Sequence, residues 1–206
     1  MPANVDALHR MAAQLRAAAG SPRAANGSAL PALVLVTDES RLTDPVAASR
    51  RLPAGAAVLL RHYDHPERAA IARALRDVCR ARDLVLWVGG DVALARSVGA
   101  SGVHLPERML AGWQRGSWTG TVTAAAHSAA ALRAAKSAGA DAAILSPVFI
   151  TASHRDATPL GVPGAARLIA AAELPVYVLG GISTANAATL VGCGAAGIAA
   201  LDGLAE

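Results

Sequence analysis

The chain has 206 residues, of which 53% are hydrophobic, 17% charged and only 3% aromatic, with a formal net charge of +4. This length fits one large domain or two small ones, and the composition excludes a disordered chain while leaving alanine, valine and leucine to fill the core. No apolar run is long enough for a membrane span, the amino terminus lacks a signal peptide's apolar stretch, and the arginines (Lys136 is the only lysine) are scattered, so neither membrane nor nucleic acid is expected as a partner.

Residues 4–19 carry Val5, Leu8, Met11, Ala12 and Leu15 on one helical stripe, and residues 21–31 read as a linker. A continuous apolar run from Ala32 to Asp38 then suits a strand buried on both faces, as in a parallel sheet. Asp44 opens a helix to about Arg51, Ala56–Arg61 is a strand, and Pro66–Ala81 is a helix with proline in its first turn. Leu84–Val88 is a strand, Asp91–Ser97 a helix, Gly102–Leu105 a strand, and a weak helix surrounds Leu110. Thr119–Ala125, Ala142–Leu145, Val176–Leu179 and Gly197–Leu201 complete eight strands, with helices at Ser128–Ala138 and Pro163–Ala172. Cys79 and Cys193, far apart and in apolar surroundings, fit reduced core thiols of a cytoplasmic protein.

Three segments share one grammar: SVGASGVHL (97–105), SAGADAAIL (137–145) and GCGAAGIAA (192–200). Each is a helix end, a glycine able to adopt the left-handed conformation, and a new apolar strand. The repetition favours a closed (β/α)8 barrel over an open sheet, at the lower limit of barrel length. The chain stops at Glu206 with no room for a full eighth helix, so the amino-terminal helix is expected to cover that gap. The expected organisation is an amino-terminal helix and linker over 1–31 followed by a single barrel domain over 32–206.

The stretch LPVYVLGGISTANAATLVGCGAAGIAALDG (174–203) concentrates the chemistry. Gly180 and Gly181 follow strand 7, a helix is expected to open at Ser183 or Thr184, and Asp202-Gly203 follow strand 8. Bare backbone N–H groups after the last two strands of a barrel hold phosphate, although such glycines also serve as simple αβ turns.

Taken in order, LVLVTD, DVALARSVGASGVHL, AAAHS, GADAAILSPVFITASH, PLGVPG, PVYVLGGISTANA and GAAGIAALDG resemble the thiamine phosphate synthase/TenI family over about residues 32–204. The resemblance implies a TIM (β/α)8 barrel, here with an extra N-terminal helix and a missing or truncated last helix. It also implies one of two activities. Synthases of the family join a pyrimidine diphosphate to a thiazole phosphate with Mg²⁺, whereas the TenI branch tautomerises a carboxythiazole phosphate without metal.

The motifs of the synthases are interrupted in this chain. Where they carry Gln-x-Arg-Glu-Lys after strand 2, it has Leu59-Leu60-Arg61-His62-Tyr63; where they carry Asn-Asp-Arg after strand 3, it has Trp87-Val88-Gly89. Met109 replaces a second metal carboxylate, with Glu107 the only nearby substitute, and His154 takes the place of a phosphate-binding lysine. Holding Mg²⁺ on a diphosphate needs hard carboxylate oxygens and several fixed cations. Removing them forfeits several kcal/mol, on the scale of about 3 kcal/mol per deleted donor. Trp87 and Tyr63 suggest a drier, flatter pocket instead.

The set that survives is TenI-like. His127, expected at the carboxyl end of strand 5, matches the branch's acid/base, and imidazole chemistry near neutrality needs no metal; a hydrogen-bonded structural histidine is the competing reading. His104 reads as structural. Gly180, Gly181, Gly203, Asp202, Arg61, Thr151 and His154 are the expected phosphate- and substrate-binding residues. Asp202 would repel a phosphate unless paired, for example by Arg61 or His154. The expected ligand is a small phosphorylated heterocycle such as a thiazole phosphate. No cofactor is expected, Mg²⁺ belonging only to the synthase reading, and a homodimer is admitted. A non-catalytic ligand-binding barrel is the alternative outside enzymes.

Overall fold

Eight short strands, Leu33–Val36 (β1), Ala57–Leu60 (β2), Val85–Gly89 (β3), Gly102–Leu105 (β4), Thr121–Ala126 (β5), Ala142–Leu145 (β6), Val176–Val178 (β7) and Gly197–Ala200 (β8), pair in parallel. Closure comes from β8 on β1, where Leu33 lies opposite Ile198, so the sheet is a closed barrel in strand order. This computed structural model describes residues 3–151 and 158–205. The expected TIM barrel is the fold, and every expected strand is present with its ends within two residues of the expected bounds, β3 and β5 each running one residue further, to Gly89 and Ala126.

The strands read as uninterrupted apolar runs because both their faces are covered. Alternate residues enter two separate cores: Val34, Leu59, Trp87, Ile144 and Tyr177 fill the barrel, while Leu33, Leu35, Val58, Leu60 and Val88 pack under the helices. The rings of Trp87 and Tyr177 meet edge to face at 6.1 Å. Glycines on neighbouring strands make room for them. A Cβ at Gly102 would lie 2.6 Å from Trp87, and one at Gly197 would lie 2.8 Å from Tyr177.

The helical layer consists of Ala3–Ala18 (α1), Pro45–Ser49 (α2), Arg68–Ala81 (α3), Val92–Val98 (α4), Ala129–Ser137 (α5), Gly161–Ala170 (α6) and Asp202–Ala205 (α7). Asp44, Asp91 and Ser128 cap α2, α4 and α5 by accepting from the N–H three residues on, which fixes where each helix leaves the rim. Gly99, Gly139 and Gly194 adopt φ of 64°, 72° and 84°, the left-handed joints expected from the repeated grammar.

Helix α1 lies against β8, β1 and α7, burying Val5, Leu8, Ala12 and Leu15. Each buried leucine there is worth about 2 kcal/mol relative to exposure. The expected substitution for the eighth helix therefore holds, with one addition: a four-residue α7 follows β8. The segment 21–31 is more than a linker. An antiparallel bridge from Arg23 to Ala29 folds it under the barrel, where Tyr177 donates to Pro31 O at 2.6 Å. Buried Asp141 fastens it by accepting from Ala25 N at 2.8 Å, Val122 N at 2.7 Å and Arg115 at 2.8 Å.

Candidate functional site

The carboxyl ends of the strands surround a cavity of about 510 Å³. Six of the expected site residues line it together with His127: Arg61, Thr151, Gly180, Gly181, Asp202 and Gly203. His154 lies outside the described residues.

On the β7–β8 side, Gly180 and Gly181 hold φ of 106° and 63°, conformations that favour glycine. They also admit the loop after β6. Val148 N donates to Leu179 O at 2.9 Å and Phe149 N to Gly180 O at 3.0 Å, and a Cβ at Gly181 would lie 2.9 Å from Phe149 Cβ. The N–H groups of Gly180 and Gly181 have no acceptor among the described residues. The helix expected at Ser183 does not form. Asn186 Oδ1 accepts from Ser183 N at 2.9 Å while its Nδ2 donates to Gly181 O at 2.8 Å, and only a 3-10 turn at Ala187–Leu190 follows. The asparagine thus consumes the Ser183 N–H and braces the glycine loop.

Asp202 is paired with Arg41, in the β1–α2 loop, which donates to its carboxylate, and not with the expected Arg61. Arg61 is committed to Asp38 at 3.1 Å. Burial alone would raise the Asp38 pKa, but hydrogen bonds from Ser40 and the Arg61 charge outweigh it and hold the carboxyl below its ordinary value. The backbone of Arg61 is anchored too, its N–H donating at 3.0 Å to Thr37 Oγ1, which lies 2.8 Å from His62 Nδ1. Burial lowers the His62 pKa.

Opposite the glycine loop, His127 follows directly on β5 and its Nδ1 lies 2.7 Å from Glu107 Oε2. Both side chains are nearly half exposed, at 47% and 43%. A carboxylate can only accept, so Nδ1 carries the hydrogen of this bond and Nε2 is the nitrogen left for solvent or ligand. Glu107 was identified in the sequence only as a stand-in metal ligand; its partnership with His127 joins the 3-10 turn after β4 to β5 and carries no local sequence signal.

Two aromatic expectations separate here. Tyr63 lines the cavity, backed onto Gly89 and flanked by the Arg68 and Arg108 guanidinium groups, each 5.7 Å from its ring centre. Burial raises its pKa. Trp87 does not reach the cavity. Trp87, Val88 and Gly89 lie within β3 rather than after it, so the indole is fully buried inside the barrel and Val88 points into the helical layer. His104, read as structural, does line the cavity from β4, with Nδ1 3.0 Å from Thr123 Oγ1.

The donor set does not fit a Mg²⁺ centre. Glu107, Asp202 and Asp38 are each engaged by a histidine or arginine, the position of the expected aspartate is the outward Val88, and no three His, Cys, Asp or Glu side chains converge among the described residues. The cavity instead offers Arg41, Arg61 and Arg108 against Glu107 and Asp202, a balance suited to an anionic ligand.

No helix among the described residues is long and apolar enough to cross a membrane. The model of the thiamine monophosphate synthase family matches residues 33–204. A thiamine-phosphate synthase of Herpetosiphon aurantiacus is 30% identical over 167 residues, covering 78% of this chain and 81% of the relative. The bifunctional protein ThiM/ThiE of Symbiobacterium thermophilum is 37% identical over 141 residues, or 66% of this chain; the match spans only 29% of that longer protein. Among solved structures, thiamine phosphate pyrophosphorylase from Pyrococcus furiosus superposes with a TM-score of 0.66 at 26% identity, covering 82% of this chain and 84% of its own. By family match, sequence relatives and fold alike, the chain belongs to the thiamine monophosphate synthase family.

Proposed function

We propose that this barrel binds a phosphorylated heterocycle of the thiazole phosphate type and moves a proton on its ring without a metal ion, as the TenI branch does. The observation that carries the reading is the His127–Glu107 pair, 2.7 Å apart, in the same cavity as the bare N–H groups of Gly180 and Gly181. The phosphate sits against that glycine loop and Gly203, within reach of Thr151. The ring extends toward His127.

His127 Nε2 then takes the proton from a saturated ring carbon as the C–H electron pair enters the ring π system. The same imidazolium returns the proton to another atom of the conjugated system, so nothing is consumed. Glu107 holds the Nδ1–H tautomer and balances the imidazolium charge, and ligand binding dries a pair that is half exposed when the cavity is open.

A second reading has its own support. Two of the relatives described above are named as a thiamine-phosphate synthase and a thiamine phosphate pyrophosphorylase, the third for thiamine biosynthesis, and none of those names points to the TenI branch. A pyrophosphate-releasing coupling in this cavity would draw charge stabilisation from Arg61 and Arg108 instead of the missing carboxylate-bound ion.

Calorimetric titration with thiazole phosphate, with and without Mg²⁺ and a pyrimidine diphosphate, separates the readings. Metal-independent binding of the thiazole compound, followed by tautomerase turnover that His127→Ala abolishes, supports proton transfer. Binding of the diphosphate followed by coupling with pyrophosphate release, with or without Mg²⁺, replaces it with the synthase. Turnover unchanged in His127→Ala removes the acid/base role.

A further inference from the structure

We infer that the outer surface formed by α6 and the 3-10 turn after β7 is a dimer interface, and that its occupant is the same surface of a second copy of this chain.

Charge is divided unevenly around the barrel. Residues 50–83, which span β2 and α3, hold eight arginines against four acidic residues and so carry the whole formal charge of +4. Residues 158–201, which span α6, β7 and β8, hold only Arg167 and Glu173. In the closed strand order, β2 and β3 stand across the barrel from β6 and β7, so the basic and the uncharged sectors face opposite ways.

The uncharged sector is also the one least covered. Helix α1 fully buries Leu8 and Leu15, and α3 buries Leu75 and Val78, whereas α6 buries only Gly164 and Ala165. Its Val162, Leu168 and Ile169 are left partly buried. The two large hydrophobic side chains exposed among the described residues lie on this side as well. Val191, 60% exposed, ends the 3-10 turn ahead of β8, and Ile150, 80% exposed, follows β6. Soluble surfaces normally intersperse charges of both signs, and their depletion around exposed apolar groups marks the core of an interface.

Charge also selects the occupant. An uncharged face gives an acidic or a basic partner nothing to pair with. Two copies of a +4 chain meet with least repulsion through the side without net charge, which turns both arginine-rich sectors outward. The two charges on the face are opposite in sign, exposed, and without an ion-pair partner among the described residues. A two-fold interface uses one patch twice and must complement itself. One arginine and one glutamate meet that condition: with the two α6 helices antiparallel, Arg167 of each copy faces Glu173 of the other.

Sedimentation velocity of the full-length protein, from about 1 to 100 μM, tests this. The wild type is expected to show a reversible species of twice the 20.7 kDa chain mass. Val191→Glu buries a charge in the interface and is expected to weaken association about tenfold or more. Arg167→Glu sets acidic side chains against each other across the axis and should do the same, while adding Glu173→Arg exchanges the charges and should return association to within about threefold of wild type. All three side chains are exposed, so the variants keep the barrel, which circular dichroism checks. A monomer at every concentration, an open series of larger species, a dimer indifferent to Val191→Glu, or an exchange that fails to rescue Arg167→Glu overturns the inference.

Discussion

Arg41→Ala isolates the problem that Asp202 poses at the rim. Asp202 precedes Gly203 in the proposed phosphate cradle, and its side chain is 64% exposed while that of Arg41 is 22% exposed. The pair is therefore wet, and the repulsion it cancels must be calculated near the dielectric of water. A phosphate dianion about 6 Å from an unpaired carboxylate is repelled by about 1.4 kcal/mol at that limit, and by more where the ligand excludes water. Arg41→Ala should weaken binding of inorganic phosphate or thiazole phosphate by about tenfold at low salt, and less at about 0.5 M salt, where screening acts within a few ångströms. Asp202→Asn should tighten it. The double variant decides between two roles for the arginine. If Arg41 acts only by neutralising Asp202, its removal is silent in the Asp202→Asn background; if it touches the phosphate itself, the loss persists there. Calorimetry at two salt concentrations gives all of these values. Undiminished affinity in Arg41→Ala, or weaker binding in Asp202→Asn, would refute the charge-balance argument.

Asp141→Ala strands two backbone N–H groups and the Arg115 guanidinium beneath the barrel, and should cost about 3–5 kcal/mol. That is roughly a 10 °C fall in Tm for a chain of this size, and a fall below about 3 °C in a thermal melt would contradict it. Gly181→Ala meets both a φ of 63° and the backbone of the loop after β6, so phosphate binding should fall below detection in calorimetry while circular dichroism still reports a folded barrel. His104 ionises near pH 6.5 when unfolded but only near pH 3 when folded, so the unfolded chain binds more protons between those values. Stability is then complete above about pH 6.5 and falls as pH drops through that window, by at most about 1.4 kcal/mol per pH unit for this group; denaturation series at pH 7 and 5 should show a smaller drop in His104→Gln. Val88→Asp restores a carboxylate to the strand-3 motif but aims it into the helical layer, so it should lower Tm by 10 °C or more, and recovery with millimolar Mg²⁺ would disprove the stated orientation.

The barrel was legible because its signals are local and repeated. Doubly buried strands must be apolar throughout, and three αβ joints need a left-handed glycine at the same place in the pattern, as Gly99, Gly139 and Gly194 show. The strand ends were less so. Strand 3 was expected to end at Val88, yet Gly89 still pairs with His104 in the sheet, and Trp87 lies inside the barrel instead of at its rim. The expected helix after Ser183 is only a 3-10 turn at Ala187–Leu190, with the Asn186 side chain bridging Ser183 N and Gly181 O ahead of it. Charge pairing across the rim was beyond reach from the sequence. Arg41 and Asp202 are separated by 161 residues, and only barrel closure between β1 and β8 brings their loops together.

The same geometry explains why the missing metal motif is more than a set of point changes. Tyr63 stands on Gly89 and Gly90: a Cβ at Gly89 would lie 3.0 Å from Tyr63 Cε1 and 3.0 Å from Leu60 O, and one at Gly90 would lie 3.3 Å from the same ring. Arg68 and Arg108 flank the ring, and Arg68 is tied further to Asp91 and to Gly89 O. Tyrosine, two glycines and two arginines are thus one packed unit that occupies the wall where the resembling synthases place metal ligands. Returning a side chain to position 89 would displace Tyr63, and with it the face on which Arg108 rests. Arg108 also sits beside Glu107, the hydrogen-bond partner of His127, so this wall and the proposed proton-transfer pair share one turn after β4. The same few residues thus give this wall two fixed guanidinium groups, with the His127–Glu107 pair one residue away, and leave no space at position 89 for a further side chain.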